Sequence, residues 1–185
     1  MDLNKAIKKR TSIRKYLSEK PPIEQVIECI EAANHAPSPG NLQILKYIII
    51  EDREKIIRIA EACDQEFIQE ASIVIIVCSD KKNVERMYED YHNYIKYHTG
   101  AAIENFLLRA TDLELASCWV GTFSKVILKD ILRIPVNIEI EAILPIGYGP
   151  KKKQEPKPHL DTRIFFERWN NRYRKPIVKI RENFV

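Results

Sequence analysis

The chain has 185 residues, 45% of them hydrophobic and 30% charged, with a net charge of +4. This length allows one globular domain with a sizeable core or at most two small ones, and one is expected. Charged residues interrupt the apolar segments, none of which approaches the roughly 20 apolar residues of a membrane helix, and Met1, Asp2, Leu3, Asn4, Lys5 lack the order of a secretory signal; the expectation is a soluble, cytoplasmic protein with no membrane partner.

Asp2 is placed to cap a first helix with Leu3, Ala6 and Ile7 on one face. The run Arg10, Thr11, Ser12, Ile13, Arg14, Lys15, Tyr16 follows. If extended, it points Arg10, Ser12 and Arg14 the same way, because side chains two apart share a face. Two guanidinium groups and a hydroxyl could then meet one phosphate, although a solvated basic face has the same pattern. A second helix begins near Pro22, carries Ile23, Val26, Ile27, Ile30 and Ala33 at helical spacing, and stops before Pro37. Two β-rich runs, residues 44–50 and 72–79, read as central strands, with a helix capped by Asp52 between them.

Tyr88, Tyr91, Tyr94 and Tyr97, three apart, predict one face of a helix or of its approach, packed on core or partner rather than stacked on a cofactor. Residues 100–115, with Ala101, Ala102, Ile103, Phe106, Leu107, Ala110 and Leu113, read as a buried central helix whose Ala pair would allow another helix close approach. Ser124 can cap a helix bearing Val126, Ile127, Ile131 and Leu132 that ends before Pro135. Residues 139–147 read as a strand. Its end, Leu144, Pro145, Ile146, Gly147, Tyr148, Gly149, Pro150, reads as a tight apolar turn where glycine permits close backbone approach to a flat ligand. Residues 151–158 are a polar loop. Taken alone, this alternation of helices and strands suggests a parallel α/β sheet.

Cys29, Cys63, Cys78 and Cys118 lie far apart in apolar patterns, without the spacing of a zinc or redox pair, and read as buried free thiols. Positive charge gathers late: residues 151–185 hold 11 Lys or Arg against 4 Asp or Glu, leaving 19 against 22 before them. Such a tail suits an anionic cofactor, nucleic acid or an acidic partner surface.

Five segments fall in one order: the 10–16 run; Ala36, Pro37, Ser38, Pro39, Gly40, Asn41, Leu42, Gln43 before a strand; residues 118–123; residues 144–150; and Phe166, Glu167, Arg168, Trp169. In this order and spacing the chain resembles the FMN-dependent nitroreductase family, from the first helix to Trp169. The resemblance implies an α+β, nitroreductase-like fold: a central, mainly antiparallel sheet flanked by helices, in an intertwined homodimer with two FMN sites at the subunit interface. Residues 1–169 would form a single FMN-binding domain, and residues 170–185 an extension packing on the partner subunit.

By the same resemblance, Arg10, Thr11, Ser12 and Arg14 hold the phosphate and ribityl chain. Arg14 also approaches the pyrimidine edge, where a cation favours the negative charge that two-electron reduction places near N1. Pro37, Ser38, Asn41 and Gln43 would reach the flavin from the other subunit. Pro145, Ile146 and Gly147 would lie against the ring with a backbone N–H available to N5, and Lys157, or one of Lys151, Lys152 and Lys153, would complete the phosphate site. There are departures: Ile44 and Leu45 follow Gln43 where family members commonly carry Pro and an aromatic residue, which leaves the wall of the substrate pocket undefined, and Gly149 stands where Pro often follows the Tyr.

The implied activity is ping-pong hydride transfer from NADH or NADPH through flavin N5 to a nitroaromatic, quinone or related small acceptor. No protein nucleophile or general base is needed, and His35, His92, His98 and His159 form no motif. A dehalogenase-like or flavin-fragmenting enzyme of the same fold is the nearest alternative. A non-catalytic flavin- or nucleic-acid-binding module, motivated by the basic tail, is the other, but nucleic acid is not an expected partner.

Overall fold

Ile73, Val74, Ile75, Ile76, Val77 and Cys78 feed two hydrophobic cores at once: the odd-numbered residues enter one and the even-numbered residues the other, the period-two alternation of a strand covered on both faces. The computed structural model describes residues 1–150, 152 and 154–172. Among these, strand β1 (Leu45–Ile50), β2 (Ile73–Asp80), β3 (Ala116–Ser117) and β4 (Ile138–Gly147) form one sheet in the order β1-β2-β4-β3, with every pairing antiparallel. The parallel sheet suggested by alternation alone is therefore corrected, and the antiparallel sheet implied by the resemblance is observed. The reason is visible at the first connection. Ile50 ends β1 directly opposite Val74 near the start of β2, so the intervening helix goes out and returns to the same end of the sheet instead of crossing over.

Helices α2 (Ile23–Asn34) and α5 (Tyr91–Asp112) cover one face of the sheet, and α3 (Arg53–Cys63) and α6 (Lys125–Leu132) the other; α1 (Leu3–Lys9) and the short α4 (Val84–Met87) complete the set. Asp2 accepts from Lys5 N at 2.9 Å and Asp52 from Lys55 N at 2.8 Å, as their positions predict. Ser124 precedes α6 without a side-chain cap bond, and its backbone N–H donates instead to Ala62 O at 2.8 Å. Helix α5 begins nine residues before the apolar signal at Gly100 does and spans 22 residues, roughly 33 Å.

Three expectations shift. Strand β1, read as central, is an edge strand among the described residues, since an apolar run reports cover on its faces and not a hydrogen-bonded neighbour on each side. Leu3 and Ile7 are exposed while Ala6 alone of α1 is buried, and α6 buries Leu128 while Val126 and Ile127 face outward. The β2–β4 register slips between Val77 and Cys78, which pair with Ala142 and Ile140, leaving Glu141 as the extra residue of a bulge. The slip lets Ile140 join one core and Ala142 the other, and Glu141 Oε1 accepts from Ser79 Oγ at 2.5 Å.

The chain divides into two compact units, Met1–Gln154 and Glu155–Val185. In the described part of the second, a single 3-10 turn, Leu160–Thr162, precedes a contact between the rings of Phe165 and Trp169, whose centroids are 4.8 Å apart. No described helix is long and apolar enough to cross a membrane.

All four cysteines are buried and free. Burial pushes the thiols of Cys29 and Cys63 up to about 12 and that of Cys78 to about 11. The native protein should therefore react slowly with a thiol-disulfide reagent at pH 8 and release four equivalents only on unfolding. Phe106→Ala, at a fully buried ring, should lower the unfolding free energy in urea by about 3–5 kcal/mol, against about 1 kcal/mol for loss of the cap in Asp52→Ala.

Candidate functional site

Helix α1 ends at Arg10, whose backbone is already non-helical, and the residues that follow have no regular structure of their own. The ends of the sheet hold them: Ile13 N–H donates to Ser117 O at 3.0 Å and Leu17 N–H to Tyr148 O at 2.9 Å. The Tyr16 hydroxyl lies 3.2 Å from Pro145 O and 3.1 Å from Ile13 O, and Tyr16 N–H donates to Glu70 Oε2 at 3.2 Å. Burial pushes the Tyr16 phenol upward, which keeps it a protonated donor. Gly149 closes the seam, since a Cβ there would stand 2.6 Å from Ala116 Cβ and 2.7 Å from Lys15 O.

One buried thiol, that of Cys118, feels the run: burial raises its pKa, and the Arg14 guanidinium, hydrogen bonds to Ser12 and Arg14, and the Arg10 charge oppose the rise. Arg14 also places its guanidinium carbon 5.8 Å from the centroid of the Phe67 ring. Arg10 Nε lies 3.4 Å from Glu104 Oε1, and Gln154 Nε2 donates to Arg10 O at 2.9 Å. Thr11, out of step by one residue, lines with Lys9, Ile13 and Lys152 a separate cavity of about 260 Å³.

Pro145, Ile146 and Gly147 belong to the strand, as expected of residues 139–147, and the tight turn expected over 144–150 does not begin within them: Pro145 lies opposite Val74, Ile146 opposite both Ile73 and Ser117, and Gly147 opposite Ala116. Partners on both sides carry the ladder through these residues. At Gly147 a Cβ would meet Ser72 Oγ at 3.2 Å and Tyr16 Cδ1 at 3.3 Å, and that Ser72 oxygen is buried with no hydrogen-bond partner among the described residues.

The 37–43 segment packs elsewhere. Around its 3-10 turn, Pro39–Asn41, the backbone is left-handed at Gly40 (φ 54°), Asn41 (φ 56°) and Gln43 (φ 48°), a rare conformation for a residue such as Gln. Gln43 Nε2 donates to Asn41 Oδ1 at 3.0 Å and Gln43 N–H to Ser38 Oγ at 3.4 Å, while Pro37 is exposed. Met87 and Tyr88 stand beside Gly40. Ile44 and Leu45 belong to the core, and Leu45 also lines, with Ile27, Ile30 and Tyr47, an open cavity of about 690 Å³ between α2 and β1. Lys157 is exposed in the second unit, and Lys151 and Lys153 lie outside the described residues.

Reading the chain missed Ser72, Phe67 and Gln154. Ser72 carried a signal, as the lone hydroxyl at the mouth of an apolar strand; Phe67 and Gln154 carried none. Of the histidines, His98 is buried in α5, its pKa lowered by that burial and its Nδ1 unpartnered among the described residues.

Fold and site together define an α+β protein in which a cationic run is sewn to the ends of two strands, a frame suited to an anionic ligand. The nitroreductase family profile matches residues 7–71 and 60–148, and the chain belongs to that family. It is 33% identical over 154 residues, 80% of this chain and 86% of the other, to an Archaeoglobus fulgidus protein named "Putative NADH dehydrogenase/NAD(P)H nitroreductase". An FMN-dependent nitroreductase from Clostridium difficile superposes with a TM-score of 0.70 at 25% identity, covering 90% of this chain and 98% of that one. Iodotyrosine deiodinase of Thermotoga neapolitana is 24% identical over 189 residues, 88% of this chain and 95% of that one.

Gly149→Ala should open the seam, because backbone and Ala116 cannot yield at such distances. The expected loss is about 1–3 kcal/mol in urea unfolding, with faster amide exchange at Ile13 and Leu17 than in the rest of the sheet.

Proposed function

We propose that this chain is an FMN-dependent oxidoreductase that takes hydride from NADH or NADPH and delivers it to a nitroaromatic, quinone or related acceptor. The two half-reactions run in turn at one open pocket, in a homodimer whose subunits share each site. What carries the reading is a run with two arginines and a serine, tied to β3 and to the end of β4, in a chain of the nitroreductase family.

The residues suit the cofactor. Two guanidinium groups and a hydroxyl form the donor set that a phosphate monoester requires. At Gly147 the absent side chain lets Tyr16 and the orphaned Ser72 hydroxyl pack close to the backbone at the end of β4. When bound, FMN supplies the hydride-accepting and hydride-donating centre, so the chain itself needs no nucleophile.

In this reading Arg10 and Ser12 bind the phosphate and ribityl end, with Thr11 contributing to the same segment. Arg14, flanked by Phe67, holds positive charge at the pyrimidine edge, where it favours the charge that accumulates on reduction. Tyr16 fixes the carbonyl of Pro145, and with it the position of the Ile146 and Gly147 backbone. Pro37, Ser38, Asn41 and Gln43 of a second copy complete the pocket, the left-handed backbone of Asn41 and Gln43 being held by the Ser38–Gln43 and Asn41–Gln43 hydrogen bonds.

The purified protein should carry flavin absorbance, and anaerobic NADH or NADPH should bleach it; flavin that neither nucleotide bleaches overturns the nicotinamide-dependent reading. Arg14→Ala should weaken FMN binding about 10–100-fold, the worth of a charge-assisted hydrogen bond, and slow bleaching. Arg58→Ala, exposed on α3, should do neither. A halogenated aromatic belongs in the acceptor screen because of the deiodinase relative.

A further inference from the structure

Ile44 is buried and Leu45 opens onto the cavity between α2 and β1, so the wall beside Gly40 is formed by another part of the chain. The neighbours of Gly40 identify it. A Cβ on Gly40 would stand 3.2 Å from Met87 Cε, 3.4 Å from Tyr88 Oη and 3.6 Å from Met87 Sδ. From Tyr88 the aromatic surface continues: its ring centroid is 4.6 Å from that of Tyr94, which lies 6.3 Å from Tyr97 in an edge-on contact. Three of these four side chains face water to a degree unusual for large apolar groups, Met87 at 56%, Tyr94 at 40% and Tyr97 at 69% exposed. The Tyr88 hydroxyl makes no hydrogen bond among the described residues.

We infer that Met87, Tyr88 and Tyr94 form the acceptor-selective wall of the pocket, stacking a planar, electron-poor aromatic on the tyrosine rings while the Tyr88 hydroxyl donates to its nitro or carbonyl oxygen. This rests on the reading above, in which the 37–43 segment approaches the flavin held by a second copy. Three properties favour such an occupant. The faces of tyrosine rings are electron-rich, so they attract a ring whose own face is electron-poor. The methionine thioether is polarisable and adapts to rings of different outline. The left-handed backbone of Gly40 and Asn41 fixes the wall relative to the rest of the segment, because Gly40 has no side chain to hold Met87 and Tyr88 away. Tyr97, outermost, extends the surface and makes the wall continuous with solvent.

The test uses FMN-loaded protein reduced by light, so that acceptor reoxidation is read without a nicotinamide, with NADH bleaching measured separately. Wild type, Tyr94→Ala and Tyr88→Phe are mixed anaerobically with nitrobenzene, 1,4-benzoquinone or ferricyanide, the last an inorganic acceptor with no ring to stack. For Tyr94→Ala, the nitrobenzene-to-ferricyanide and quinone-to-ferricyanide rate ratios should each fall about 2–12-fold, the range of one aromatic contact. Tyr88→Phe, which keeps the ring, should lower the same ratios by a similar factor through the lost donor. Ratios unchanged from wild type in both variants overturn the wall. So does a shift of the dimer dissociation constant in Tyr94→Ala with no change in ratio, which would mean that the tyrosines pack against the partner subunit. Failure of NADH and NADPH to bleach wild type, with the ratios still shifted, would overturn the nicotinamide reading and leave the wall standing; protein that takes up no flavin overturns both.

Discussion

The seam between residues 10–17 and the ends of β3 and β4 is the constraint on which the rest of the site depends. It consists of two backbone hydrogen bonds, Ile13 to Ser117 and Leu17 to Tyr148, the Tyr16 hydroxyl at the carbonyl of Pro145, and a glycine at 149 with no room for a side chain. An extended segment outside a sheet has no internal hydrogen bonds to keep it extended, and unpaired buried backbone groups are costly. Sewn to two strands, it has partners for its backbone at Ile13 and Leu17, while Arg10, at the end of α1, pairs with Glu104 and Arg14 stands over Phe67.

The sheet in turn explains why the seam lies where it does. Because β1, β2 and β4 all pair antiparallel, the C-terminal end of β4 is placed beside the start of β2, and Gly147 meets Ser72 there. The bulge at Glu141 keeps Ile140 and Ala142 each in a core, so β4 remains covered on both faces along its length despite the register slip. The C-terminal end of the same strand is covered as well, Gly147 being buried against Ser72 and Tyr16. The 37–43 segment is made differently. Its left-handed residues hold one another through short side-chain bonds, and it borders Met87 and Tyr88 instead of the arginines.

Much of this could be read along the chain. Asp2 and Asp52 cap helices as their positions predict, the run from Ile73 to Cys78 is the central strand, and the long apolar helix is α5. Each of these depends on neighbours within a few residues, where hydrophobic period and capping chemistry act directly. Readings that needed a partner distant in sequence were less secure. Whether β1 was central or at an edge depended on what lay beside it. Leu144, Pro145, Ile146 and Gly147 fell both in the expected strand and in the expected turn, because Pro and Gly interrupt local pattern, and pairing with β2 or β3, at Ile146 with both, keeps them in the ladder.

By itself the sequence determined most of the longer helices, the runs that become β1, β2 and β4, the alternating basic run and the order of motifs that marks the family, since all of these are written in local spacing. Only the tertiary structure decided the antiparallel direction of the strands, the closure of Gly149 on Lys15 and Ala116, the orphaned Ser72 hydroxyl, and the neighbourhood of Gly40 with Met87 and Tyr88. Those features arise where segments from 30 to more than 130 residues apart compete for the same space, and packing across such separations leaves no periodic trace in either segment alone.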